Sequence, residues 1–173
     1  TGNKVAAWGF WNWARQGQTP SHRGEWDRTV ARSGKAALKI QGSEPGQVGC
    51  WDNKREDALI PIVAGEIYEL AVWVRLQCNG LDGQIDRVSL GFYGQDRNPL
   101  PDSQAVRART LREDCDWTRM SVHAKAPEAA AFARIDLAFT GAGTAWFDDV
   151  SLRALSAAEA SGLPDLSRPF LRA

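Results

Sequence analysis

A chain of 173 residues makes one ordinary domain, long enough to bury a single sizeable core. Its 21 basic and 21 acidic side chains give a formal net charge of +0, which supplies no electrostatic attraction for nucleic acid or an anionic membrane. No apolar run reaches the roughly 18 to 20 residues of a membrane-spanning helix, and nothing at the start resembles a signal peptide. Thr1 in place of a Met suggests a processed or excised piece, which leaves room for a removed leader. The unusual figure is 8 Trp against 6 Phe and 2 Tyr, an excess that points to aromatic platforms at a surface.

Taken in chain order, the pattern is one of short strands and turns. Val5 to Trp13 is aromatic-rich and extended, with Trp11 and Trp13 on one face by period two, and ends in the polar turn Ala14–Gly17. Glu25 to Ala31 alternates loosely before the turn Arg32-Ser33-Gly34-Lys35. Ala37 to Ile40 and Gln47 to Asn53 read as strands, followed by Leu59 to Val63 and Glu66 to Leu76 across the turn Ala64-Gly65. In the last of these, Tyr68, Leu70, Val72 and Val74 share one face and Glu69, Ala71, Trp73 and Arg75 the other. Ile85 to Tyr93 is a strand with an irregularity between Ile85 and Val88. Gly94 to Asp116 is a long polar loop, the one loop large enough to have a role of its own. Strands follow over Trp117 to Lys125 and Ala131 to Thr140.

Thr144 to Leu152 is the last strand, and it holds two adjacent carboxylates. Neighbouring side chains in a strand point to opposite faces, so one of Asp148 and Asp149 must turn toward the interior or sit at a rim. A buried carboxylate needs donors or a cation. The pair therefore marks either a frayed strand end or a rim carboxylate holding a hard cation. Ser156 to Ser161 fits a short helix stopped by Gly162 and Pro164. The expected division is a sandwich over 1–154 and a short helix and linker tail over 155–173. Nine or ten short strands with turns every 8 to 12 residues or so predict an all-β fold, a two-sheet antiparallel β-sandwich.

Cys50, Cys78 and Cys115 match no metal-site spacing. Either one bridge forms, between Cys78 and Cys115 in an oxidising compartment, or all three stay reduced. No Gly-x-Ser-x-Gly elbow, phosphate loop or His-rich metal motif is present, and only His22 and His123 are available for imidazole chemistry. The chain is not expected to be an enzyme.

Five segments in this order carry a resemblance: Arg32–Ile40, Gly49-Cys50-Trp51, Val63–Arg75, Asp116-Trp117 and Ala145–Leu152. Together they resemble the β-jelly-roll carbohydrate-binding modules with a galactose-binding-like fold, of the type grouped as families four, nine, sixteen and twenty-two. The likeness covers about Trp8 to Arg153. It implies a secreted, extracellular or periplasmic module that binds a polysaccharide or oligosaccharide and sits among other domains of a larger glycan-active enzyme. The alternative is an accessory sandwich that packs on a catalytic neighbour or protein partner and binds no sugar.

The resemblance also implies a structural calcium ion, with Asp148 as ligand and backbone carbonyls around Ser33 to Lys35 completing part of its shell. The chain departs from the family where an opening-strand Glu is usual; Asn12, Glu25 or Asp27 would have to replace it. For the sugar, it implies a stacking Trp51 with Asp52 or Asn53 beside it, and Arg15 and Gln16 after Trp13 lining the groove. Tyr93 would form one wall, and Asp136 or Arg134 a polar contact on the concave sheet. A flat ring with polar groups at its edge suits the apolar face and hydroxyl rim of a pyranose.

Overall fold

The computed structural model describes residues 8–53, 58–100 and 105–163. It holds eleven strands and one short helix: β1 (Gly9–Trp13), β2 (Arg23–Asp27), β3 (Ala37–Gly42), β4 (Val48–Asp52), β5 (Ile60–Pro61), β6 (Ile67–Gln77), β7 (Gln84–Tyr93), β8 (Val106–Arg107), β9 (Cys115–Lys125), β10 (Phe132–Thr140), β11 (Gly143–Ala154) and α1 (Ala157–Ala160). The first sheet runs β1-β4-β10-β7-β8 with β5 also on β10; the second runs β2-β3-β11-β6-β9. All pairings are antiparallel. The expected two-sheet sandwich is the observed fold.

The core lies between the sheets. Leu70, Val72, Val74 and Leu76 of β6 face Leu90 of β7 and Ile135, Leu137 and Phe139 of β10, all fully buried. The period-two assignment of β6 holds, with Trp73 and Arg75 on the outward face. The irregularity expected in β7 is a bulge: Ala138 pairs with Arg87 and Phe139 with Ile85, so Asp86 is the extra residue. The bulge lets Ile85 enter the core while Arg87 turns outward beside Ala138. α1 forms where expected because Ser156 and Glu159 close a capping box, each side chain satisfying the other's backbone N–H. The long loop contains a short strand, β8, which extends the first sheet.

His22 is enclosed at one end of the sandwich, 2% exposed, with its ring 5.7 Å from that of Phe139. No charged partner is present among its described contacts, and Nε2 has no well-aligned hydrogen bond, only the nearby Gly141 carbonyl. Burial holds its pKa below 6.5, against a smaller opposing effect of the Gly141 carbonyl. The unfolded chain therefore binds a proton on this imidazole that the folded chain refuses. Stability is expected to fall as pH drops below 6.5 toward the lower folded-state pKa. Urea melts between pH 8 and 5 would read this slope, and His22→Gln should flatten it.

Candidate functional site

The outward face of the first sheet is set by strand register. Gly9, Asp52, Asp136, Ser89 and Arg107 form one cross-strand row, and Trp11, Cys50, Ala138 and Arg87 the next. Trp13 lies opposite Val48 one step further along the β1 edge. Trp11 and Trp13 are 36% and 51% exposed, on one face as their spacing predicted. Two residues along a strand separate them by about 7 Å.

Arg134 of β10 organises the centre of this face. Its Nη2 donates to Asp52 Oδ2 at 2.9 Å and to Asp136 Oδ1, and its Nη1 to the Tyr93 hydroxyl at 3.0 Å. Trp11 Nε1 also donates to Asp52 Oδ2, at 2.9 Å, which fixes the orientation of the indole. Asp52 and Asp136 are 5% and 7% exposed, so the guanidinium meets two desolvated carboxylates. Burial pushes the Asp136 pKa up, aided by the Asp52 charge and opposed by Arg134. Burial alone would lower the Arg134 pKa, but Tyr93, Asp136 and Asp52 together hold it above the usual value. Cys50 lies under this network, and its thiol is pushed far up by burial and by the two carboxylates, which keeps it protonated and unreactive.

The face is not saturated. Arg134 Nε, Ser89 Oγ, Arg87 Nε and Thr140 Oγ1 are buried and lack hydrogen-bond partners. Buried polar atoms are nearly always paired, so a group of them on one face is a set of unfilled positions.

Of the candidate ligand residues, Asp52, Tyr93 and Asp136 are brought together by Arg134, and Trp13 lies along the same face. Trp51 and Asn53 require correction. Trp51 pairs with Phe10 and Leu137, which face the core, so its ring points inward, 5% exposed, and its Nε1 donates to the Lys39 carbonyl. It is packed 5.1 Å from the Phe10 ring and has no free face on which a sugar could stack. Asn53 is fully buried; its side chain donates to the Ala58 carbonyl and accepts from the Ile135 N–H, tying the turn before β5 to β10. Arg15 and Gln16 are exposed beyond β1 and make no contact with the Arg134 network among the described residues. Sequence reasoning placed Arg134 only as a substitute for Asp136 and left Trp11, Arg87 and Ser89 unassigned. The period-two rule carried a usable signal: Trp51 and Asp52 are neighbours, so they cannot share a face.

The expected calcium ligands, Asp148 and the turn from Ser33 to Lys35, lie together at one rim of the second sheet. β11 bulges after Asp148, with Asp149 at φ 47, and both carboxylates reach the rim rather than the interior. Asp148 Oδ2 accepts the backbone N–H groups of Arg32 at 2.7 Å and Ser33 at 3.1 Å, and its Oδ1 accepts that of Asp149. Asp149 takes the Ser33 hydroxyl and the Arg32 guanidinium. The turn presents N–H donors and a cation where calcium would need carbonyl oxygens, and Lys35 is exposed. Among the described residues no group of three or more His, Cys, Asp and Glu could hold a metal. These residues do not fit the ion. A chelator is expected to leave the thermal midpoint unchanged, whereas Asp148→Ala should lower it by removing the tie between β11 and the Arg32 turn; differential scanning fluorimetry would read both.

Cys50, Cys78 and Cys115 are free thiols. No helix among the described residues is long and apolar enough to cross a membrane.

No protein-family model matches the sequence, and no curated protein is significantly similar to it. Solved structures do match in fold. The enzymatically active domain of tailspike protein 4 of bacteriophage CBA120 superposes with a TM-score of 0.62 at 13% identity, over 88% of this chain and 20% of that one. The CBM22-1–GH10 modules of xylanase 10B of Clostridium thermocellum, complexed with xylohexaose, give 0.56 at 14% identity over 86% and 26%. The chain therefore spans about a fifth and a quarter of those two proteins. TmCBM61 in complex with β-1,4-galactotriose gives 0.55 at 11% identity, and here 88% of this chain covers 91% of the module. At such identities the likeness is one of fold. The chain has the jelly-roll fold of carbohydrate-binding modules.

Proposed function

We propose that the chain is a non-catalytic carbohydrate-binding module whose ligand lies on the outward face of the first sheet. The observation that carries this reading is the coincidence of two exposed indoles with orphaned buried polar atoms on one sheet face. Trp13 and Trp11 offer flat apolar surface for a pyranose ring, and Asp52, Asp136, Tyr93 and the free positions of Arg134 and Ser89 offer acceptors and donors for its hydroxyls. The fold comparison supports the same reading, since matched modules are named as complexes with xylohexaose and β-1,4-galactotriose. Acid–base hydrolysis is not part of it: Asp52 and Asp136 are tied to one arginine, an arrangement that holds both as ligands rather than as acid and base. By analogy with its fold relatives the module would be secreted and would hold a linked glycan-active domain near polysaccharide, raising effective concentration without chemistry.

Intrinsic fluorescence titration with a panel of soluble glycans tests the proposal. A saturable response with one glycan, weakened at least tenfold or so in Trp13→Ala, is expected. Trp26→Ala, at an exposed indole on the second sheet, should bind as the parent does. No response to any glycan by the folded protein would overturn it in favour of an accessory sandwich.

A further inference from the structure

The β7–β8 side of the same face carries more positive charge than a neutral sugar requires. The strand segment from Val106 onward alternates: Val106 and Ala108 pack on the core, while Arg107 and Arg109 are exposed on the opposite side. Arg107 pairs with Ser89, and the isolated bridge between Ile85 and Leu111 continues that register. Arg87 and Arg109, bracketed by these two points, lie across from each other, with Ala108 N–H donating to the Val88 carbonyl between them. Diagonal neighbours on adjacent strands are about 7 to 8 Å apart, so the three arginine side chains leave the sheet from one small area.

Their charges are only partly offset: Arg87 acts on Asp136 from a distance, against the rise that burial gives its pKa, without forming an ion pair with it. The two acids of the face, Asp52 and Asp136, are engaged with Arg134. Among the described residues no ion pair forms with Arg87, Arg107 or Arg109, and Asp86, the bulge residue beside Arg87, makes none either. Arg87 is half-buried with its Nε orphaned, and Ser89, fully buried, has its hydroxyl orphaned in the row that leads to Arg107. A desolvated donor beside unpaired guanidinium groups is the chemistry of an oxyanion seat, because a carboxylate or sulfate can accept several such donors at once.

We infer that Arg87, Arg107 and Arg109, with the Ser89 hydroxyl, bind the anionic group of an acidic saccharide whose ring lies on the adjacent Trp11–Arg134 face. This rests on the sugar-binding reading above and deepens it: the ligand is a glycan bearing carboxylate or sulfate ester groups. The expected signature is binding that weakens as salt is raised, unlike a contact made by hydroxyls and indoles alone.

Calorimetric titration of the whole chain tests this with oligogalacturonate as the carboxylate probe, sulfated dextran oligosaccharides as the sulfate probe, and neutral xylo- and gluco-oligosaccharides. One anionic probe should bind about tenfold or more tighter than the neutral ones, and which one does so separates carboxylate from sulfate. The Arg107→Gln/Arg109→Gln double variant changes only exposed side chains and should lose that margin. Arg87→Gln should lose it too, with a thermal melt to confirm that the bulge still folds. Equal binding of neutral and anionic glycans, an anionic margin that survives in both variants, or equally tight binding of a single-stranded oligonucleotide would overturn the inference. Neutral glycan binding with no margin removes this inference alone, whereas silence toward every probe removes the sugar-binding reading with it.

Discussion

Arg134→Ala is expected to destabilise the folded chain by about 3–5 kcal/mol, because removing one partner strands buried charge. Arg134 holds Asp52 and Asp136, which are both nearly inaccessible and lie opposite each other across β4 and β10. Without the cation the two carboxylates repel, and burial already favours the protonated form of Asp136. At Asp136 the folded variant then binds a proton that its unfolded chain does not, so this group's contribution to its stability rises as pH falls, while the His22 contribution is shared with the parent. The gap to the parent protein should therefore narrow on acidification, which urea melts at pH 7 and pH 5 would show. A gap that is independent of pH would mean that the loss is one of packing rather than charge. Arg134→Lys should recover part of the stability but not the sugar affinity, since an ammonium cannot fork to Asp52, Asp136 and the Tyr93 hydroxyl together.

Phe139→Ala should cost a similar amount, about 3–5 kcal/mol, through the transfer of the ring and the cavity it leaves. Phe139 is fully buried, sits at the bulge opposite Ile85, and packs against the His22 ring. The denaturant midpoint should fall with an unchanged slope, because both states expose nearly the same surface as before. His22 and Phe139 touch, so the costs of His22→Ala and Phe139→Ala should not add, and the double variant should be more stable than the sum predicts. Additive costs would show that each ring is held by other neighbours. Trp13→Ala, at a half-exposed position, should by contrast move the midpoint little while abolishing most of the proposed binding.

Asp148 and Asp149 illustrate where local rules stop. Strict alternation in β11 forces one of them inward, but a bulge with Asp149 in the left-handed region carries both to the rim, where the Arg32–Ser33 turn meets them. That turn lies more than a hundred residues away in sequence, and no pattern within β11 encodes its arrival. Trp51 illustrates the same limit on the other side of the molecule. It stands in a strand with Asp52, and the family resemblance implies the indole as the binding group, yet Phe10 and Leu137 on the flanking strands draw it into the core.

The sequence by itself determined most of the strands and their alternation, the bulge in β7 and the capped helix after β11, because these depend on neighbours within a few residues, but it missed β8 inside the long loop and set β2 two or more residues late. It also determined that Trp11 and Trp13 share a face. Tertiary structure alone decided which face of each strand looks outward and which distant side chains meet there. Arg134, Asp52 and Tyr93 come from three strands, with Arg134 and Asp52 separated by 82 positions. Period two states which residues lie together on a strand; only the packing of one sheet on the other states which of the two sets is left for a ligand.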